Sequence, residues 1–270
     1  MKKEDFVDMR TTYHLAISKN LVSDAQWLLT CGDPGRTDKI AAHLDDSEII
    51  GNNREYRTWI GTLQNTKVAV ISHGIGGPGL SIMLDEAFKI MPVLKGVIRV
   101  GTCGGLSKEA SAGKVAISEG AVRLAGASSQ NIPAPEYPAV PDIKMTYELI
   151  RMAEKLAIPY VSGITVSTAT LYTGKGRKDG FRGYQPSEPR YRDAVSYWSR
   201  LSAVNIEREC SLLFIMGRLF NIPTACVTGI ISERLNRGGI IVEQRDKAIK
   251  RAIKLVIEYL RSRIFDNEGK

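Results

Sequence analysis

Apolar and polar positions along this 270-residue chain fall into two alternating patterns. Short runs dense in β-branched and apolar residues recur at Trp27–Thr30, Lys67–Ser72, Val97–Val100, Lys114–Glu119, Tyr160–Val166 and Thr224–Val227, each with the length of a buried strand. Between them lie longer helical patterns at Gly79–Met91, Lys144–Leu156, Ile206–Leu219 and Val242–Arg263. This alternation predicts an α/β domain, a largely parallel sheet covered by helices. No repeat, low-complexity tract or linker divides the chain, so residues 1–270 read as one domain. The least regular piece, Thr173–Ser202, is rich in Gly, Pro, Arg and Tyr; stretches of that length in compact domains are functional or disordered.

Two of the predicted strands end in glycine-rich turns that carry an arginine. Val97–Val100 runs into Gly101-Thr102-Cys103-Gly104-Gly105 and contains Arg99 within the strand itself. A buried arginine needs an anion or a carboxylate beside it. Thr102 and the backbone of the turn offer further donors at the same strand end, where α/β sheets bind their ligands. Trp27–Thr30 runs into Cys31-Gly32-Asp33-Pro34-Gly35-Arg36. Asp33-Pro34 there resembles a helix cap followed by proline, which alone makes Arg36 a surface residue of a helix start. Together the two turns predict a cradle for one small dianion.

Charge narrows the partners. Lys and Arg exceed Asp and Glu by eight, which favours anionic ligands. The chain lacks basic runs interleaved with aromatics outside 177–192, so nucleic acid is not the expected partner. No apolar run approaches the roughly 18 residues of a membrane span, and the N-terminus has no signal-like core. The four cysteines, Cys31, Cys103, Cys210 and Cys226, are widely spaced, as buried thiols in a reducing cytosol would be. Three histidines without a Cys/His cluster or HExxH argue against catalytic zinc. Gly74-Ile75-Gly76-Gly77-Pro78-Gly79 satisfies the dinucleotide fingerprint, but the next strand ends in Arg99-Val100 where that motif wants an acidic ribose ligand. A tight turn packing helix on strand accounts for these glycines.

The order and spacing of GDPGRTDKI, NNREY, SHGIGGPG, VIRVGTCGG, EGAVRLAGAS, YPAV and NIERECS resemble the nucleoside phosphorylase-I family over nearly the whole chain, nearest its uridine-cleaving branch. The resemblance implies a three-layer α/β/α domain with a mixed central sheet. It implies phosphorolysis of a nucleoside, uridine or a related pyrimidine nucleoside first, to ribose 1-phosphate and free base in salvage. Phosphate would sit on Gly32, Arg36, Arg99 and Thr102, with Arg54 lent by a neighbouring subunit. Ribose would meet His14 of that neighbour, Glu209 and Arg208. The base would face Thr102, Gly104, Leu171, Lys175, Arg177 and Arg234. Arg99, Glu209 and Arg36 would carry the catalysis. The resemblance further implies a dimer unit in a hexamer, no cofactor beyond the phosphate co-substrate, and a monovalent cation such as potassium at the dimer interface near Glu55 and Ser72. Thr173–Ser202 becomes a lid over the base pocket or a solvated loop.

Three positions depart from the family pattern. Uridine-cleaving members show phenylalanine where Leu171 stands, glutamine where Lys175 stands and methionine where Arg208 stands. Lysine donates to a carbonyl but cannot accept from the ring N3–H. Arg208 would pair with Glu207 or Glu209, turn away, or meet extra negative charge on the substrate. Purine-cleaving relatives place an aspartate near Gly229–Arg234; Glu233 here is displaced and Arg234 fits the pyrimidine branch. The rivals are a purine nucleoside phosphorylase, a water-using nucleosidase and a nucleoside-binding protein without activity.

Overall fold

The computed structural model describes residues 11–235, 240 and 242–268. Its strands are β1 (Trp27–Cys31), β2 (Asp45–Asn53), β3 (Tyr56–Leu63), β4 (Thr66–Ser72), β5 (Gly96–Gly105), β6 (Val115–Leu124), β7 (Tyr160–Thr168), β8 (Ala203–Glu207) and β9 (Thr224–Glu233). Its helices are α1 (Lys19–Val22), α2 (Pro34–Ala41), α3 (Gly77–Ile90), α4 (Gly126–Asn131), α5 (Ile143–Lys155), α6 (Pro189–Arg192), α7 (Ala194–Arg200), α8 (Cys210–Leu219) and α9 (Val242–Glu268).

The strands form one sheet in the order β2-β3-β4-β1-β5-β8-β7-β6-β9, with β9 also pairing β5. Side chains alternate between faces along β1 and β5. Trp27, Leu29, Ile98 and Val100 join one core with α5 and α9, whose Met145, Leu149, Ala252, Val256 and Leu260 recur at helical spacing. Leu28 and Val97 join the opposite core with Leu80, Met83 and Leu84 of α3 and Leu212–Met216 of α8. Helices therefore cover both faces, as the family resemblance implies.

The sheet is mixed rather than largely parallel. β1 runs parallel to β4 and β5, whereas β2, β3 and β4 form an antiparallel meander. Strand β2 escapes a hydrophobic-pattern reading because it is an exposed, polar edge (DDSEIIGNN) with two register shifts. Beyond β5 the sheet is not open: β5, β8, β7, β6 and β9 pair in a closed circuit, antiparallel at β5–β8 and β6–β9.

Two further expectations need correcting. The helix expected at Ile206–Leu219 begins only at Cys210, because Ala203–Glu207 is strand β8. Its pattern misleads because the charged Glu207-Arg208-Glu209 between β8 and α8 fits the polar side of a single helix spanning both. Thr173–Ser202 is not one loop; it contains a turn of 3-10 helix at Phe181–Gly183 and the helices α6 and α7.

Candidate active site

Arg99 lies two residues after Val97 on β5 and so projects toward the α3/α8 side, where both helices begin. It pairs in register with Thr30 of β1 and Cys226 of β9, placing it deep in the sheet. Its side chain folds back along its own strand. A Cβ at Gly101 would fall 1.7 Å from Arg99 Nη1, so any other residue there would displace the Arg99 guanidinium from this position. Arg99 is 4% exposed, and its Nη2 donates to Glu209, with Glu207 at 3.6 Å. Burial opposes the charged guanidinium, but these two carboxylates outweigh it and raise its pKa.

Glu209 stands at the N-terminus of α8 and bridges to the N-terminus of α3. Its Oε1 accepts from Gly76 N–H at 2.6 Å. Gly76 has φ of 95°, a conformation that glycine adopts without strain and that turns its N–H into the site. Burial would raise the Glu209 pKa, but Arg99 first and then the Gly76 N–H prevail and hold it near 2. The fingerprint-like turn 74–79 therefore serves a carboxylate of the same chain. Glu207, beneath it, accepts from Ser167 Oγ and from the N–H groups of Glu209 (2.8 Å) and Cys210 (3.1 Å). It satisfies the exposed donors at the start of α8.

Arg36 reaches the same place from the first turn of α2, just after β1. Asp33 caps α2, accepting from Gly35 N–H at 2.9 Å, with Pro34 in the first turn. This is the cap the sequence predicts, but Arg36 is 8% exposed and no surface residue. Its Nη1 donates to Val100 O at 3.2 Å. Burial lowers its pKa. Both Arg36 Nε and Arg99 Nε are buried donors without a partner. Such orphaned donors are costly, and an anion between the two guanidinium groups would satisfy them.

These groups open into a cavity of about 810 Å³ at the strand ends. Gly32, Thr102, Gly104, Leu171, Lys175, Arg177, Arg208 and Arg234 line it together with Arg36, Arg99 and Glu209. Lys175 Nζ donates to Ile206 O at 3.3 Å, and Arg234 Nη2 donates to Lys175 O at 3.2 Å. Burial first, then neighbouring Arg208, lowers the Lys175 pKa to about 8. Leu171 lines the cavity while Tyr172 is 49% exposed and outside it, so the tyrosine does not turn inward.

Two predicted residues are not brought in. His14 stands apart with Nδ1 2.7 Å from Glu86 Oε1, and Arg54 is exposed in the β2–β3 turn with φ of 53°. Glu55, next to Arg54, does reach the cavity. Ser72 Oγ donates to Glu55 O at 2.5 Å and accepts from Arg57 N–H at 2.8 Å. Sequence reasoning missed Glu55, Ile75 and Ser232 in the lining and gave Glu207 no role beyond a partner for Arg208. The strand before α8, had it been recognised, would have pointed to Glu207 as the group facing that helix start. His73 was missed too. It is fully buried with neither ring nitrogen bonded, and burial lowers its pKa to about 4, so it is neutral.

A mixed sheet with helices on both faces carries a strand-end cavity that joins buried guanidinium groups to a fixed carboxylate, a site built to hold a small anion beside a polar group. The sequence model of the phosphorylase superfamily matches residues 27–261, and the chain belongs to that superfamily. Among its relatives, a uridine phosphorylase of Haemophilus influenzae is 35% identical over 84% of this chain and 88% of its own. A uridine phosphorylase of Thermococcus kodakarensis is 34% identical over 92% of this chain and 87% of its own. A guanosine phosphorylase of Halorubrum lacusprofundi is 32% identical over 69% of this chain and 70% of its own.

Proposed function

We propose that this protein is a pentosyltransferase that phosphorolyses a pyrimidine nucleoside, uridine or a close relative, in nucleoside salvage. The observation that carries this reading is the pair of buried arginines with orphaned Nε donors beside an ionised, backbone-anchored carboxylate in one cavity. Inorganic phosphate lies on Arg36, Arg99, Gly32 and Thr102, completed by Arg54 of the partner subunit. A phosphate oxygen forms a bond to C1′ while the C1′–N bond breaks and its electron pair leaves with the base, which then takes a proton. No protein nucleophile is needed; the protein aims and desolvates the phosphate. Forked guanidinium donors fix its orientation. Glu209 holds the ribose 2′- and 3′-hydroxyls, and its charge favours the cationic sugar of the transition state. Lys175, Arg177 and Arg234 face the base and stabilise its departing anion.

His14 and Arg54, outside the cavity in the single chain, complete it from a neighbour. The working form is thus a dimer unit, assembled as a hexamer in the cytosol, and 173–202 closes over the base pocket to exclude water. A potassium ion would belong to that same interface near Glu55 and Ser72; the Glu55 carboxylate offers oxygen ligands, while the buried Ser72 Oγ is taken up by Glu55 O and Arg57 N–H.

A nucleoside panel incubated with and without phosphate tests the reading. Uridine is cleaved only with phosphate present and faster than purine nucleosides. Cleavage in water alone would make it a nucleosidase; purine preference would move it to the purine branch. Binding without cleavage, read as a rise in melting temperature, would leave a binding protein.

The Lys175 ammonium adds a pH signature. With its pKa lowered from 10.5 to about 8, it loses charge as pH rises through 8, and support for the leaving base goes with it. Uridine kcat/KM therefore falls above pH 8. Lys175→Gln has no such charge to lose and so lacks that fall, and it retains uridine turnover because its amide donates to the carbonyl and also accepts from the ring N3–H. Complete loss of uridine turnover in the glutamine variant would contradict the carbonyl contact.

A further inference from the structure

Positive charge is distributed unevenly over the cavity. At the phosphate end, the two cations Arg36 and Arg99 are matched in number by the carboxylates Glu209 and Glu207. At the base end stand Lys175, Arg177 and Arg234, joined by Arg208, which the resemblance puts with the ribose but which lies near enough to Lys175 to act on it electrostatically, four cations in one cavity. Arg234 Nη2 bonds Lys175 O (3.2 Å), Lys175 Nζ bonds Ile206 O (3.3 Å), and Arg208 follows Ile206 by two residues. Among the described residues, Lys175, Arg208 and Arg234 have no carboxylate partner. Arg177 has only Asp179, at 3.7 Å and 70% exposed. The Nε atoms of Arg177, Arg208 and Arg234 are buried without a hydrogen bond.

Neutral uracil presents two carbonyl oxygens and one N–H to such a pocket. It leaves most of these donors unanswered, and the clustered like charges repel one another with only the exposed Asp179 and the carboxylates at the phosphate end to offset them. A departing base anion offsets them only in the transition state. Lys175 is also unable to accept the ring N3–H, so the pocket is poorly matched to the edge that distinguishes uracil. Leu171 offers no stacking ring. What the site does offer is bidentate, forked donation to a planar anion.

From this surplus we infer that the base subsite takes a nucleoside whose base carries its own negative charge, a ring carboxylate being the group that fits. The inference rests on the phosphorolysis reading and alters only its substrate. The reaction is unchanged: the same C1′–N bond breaks, and the carboxylate stays on the departing base.

Phosphate-dependent cleavage of 5-carboxyuridine, its neutral isostere uridine-5-carboxamide, uridine and uridine 5′-monophosphate by the full chain decides it. The carboxylate is expected to exceed the carboxamide in kcat/KM by tenfold or more. Arg208→Met and Lys175→Gln, assayed separately, each bring that ratio toward one. A wild-type ratio at or below one, with uridine still phosphorolysed, overturns the inference and leaves the proposed function standing. A preference for the 5′-monophosphate over 5-carboxyuridine assigns the surplus to the sugar end and also overturns it. If phosphate drives no cleavage at all, the proposed function fails. Calorimetric titration with 5-carboxyuracil and uracil-5-carboxamide then decides the inference alone: tenfold tighter binding of the carboxylate supports it, equal binding overturns it.

Discussion

Replacing Arg99 with methionine is expected to lower uridine kcat/KM by ~10²–10³-fold, because one preorganised charged donor at a reacting anion contributes about 3–4 kcal/mol. The KM for phosphate rises together with the fall in kcat, since the same guanidinium holds the anion before and during attack. The variant also loses stability for a separate reason. Arg99 is the charged partner of Glu209 and lies 3.6 Å from Glu207. Removing one member of a buried pair leaves its carboxylates uncompensated, a loss of about 3–5 kcal/mol. The melting temperature should drop by roughly 10 °C or more. The double variant Arg99→Met, Glu209→Gln separates the two effects: much of the melting temperature returns, and activity does not. Recovered activity in the double variant would show that Arg99 serves the fold and not the phosphate.

How much of this was legible beforehand differs from element to element. β1, β4, β5 and β9 are buried on both faces, so their apolar runs stand out, and α5 and α9 carry regular helical stripes. β2 was invisible because an exposed edge strand has no need of an apolar face. The β8–α8 boundary was hidden because the charged run Glu207-Arg208-Glu209 that marks it reads equally well as the polar face of one continuous helix. The strand-end turns were legible as one site because each ends a buried strand in glycines with an arginine beside them, and the fold brings both into one cavity. Yet the partner Arg99 meets in this structure is Glu209, 110 residues on, and only the fold joins them. The role of Gly101 shows the same limit. Its place in a glycine-rich turn was evident, whereas the need for it arises from an arginine two residues earlier folding back against it. His14 and Arg54 fall outside the cavity for a different reason, because the family resemblance assigns them to a neighbouring chain.

The second large effect concerns Glu209→Gln, which keeps the volume and the acceptor for Gly76 N–H while removing the charge. Uridine kcat should fall by ~10²–10³-fold through lost stabilisation of the cationic sugar, with KM for phosphate changing far less than in the Arg99 variant. Because the carboxylate meets the 2′-hydroxyl in the proposed complex, 2′-deoxyuridine should lose less than uridine, narrowing the ratio between the two substrates. An equal loss for both would place the contact elsewhere on the sugar. The pH dependence of stability gives an independent check. The Glu209 pKa is depressed from 4.5 to about 2 in the fold, so its ionised form stabilises the native state by a few kcal/mol above pH 4.5. That contribution is lost as pH falls toward 2. The stability gap between native chain and variant should therefore stay constant from pH 7 to 5 and close in more acidic solution. A gap that persists unchanged at pH 3 would mean that packing around Gly76, and not the carboxylate's charge, anchors α8 to α3.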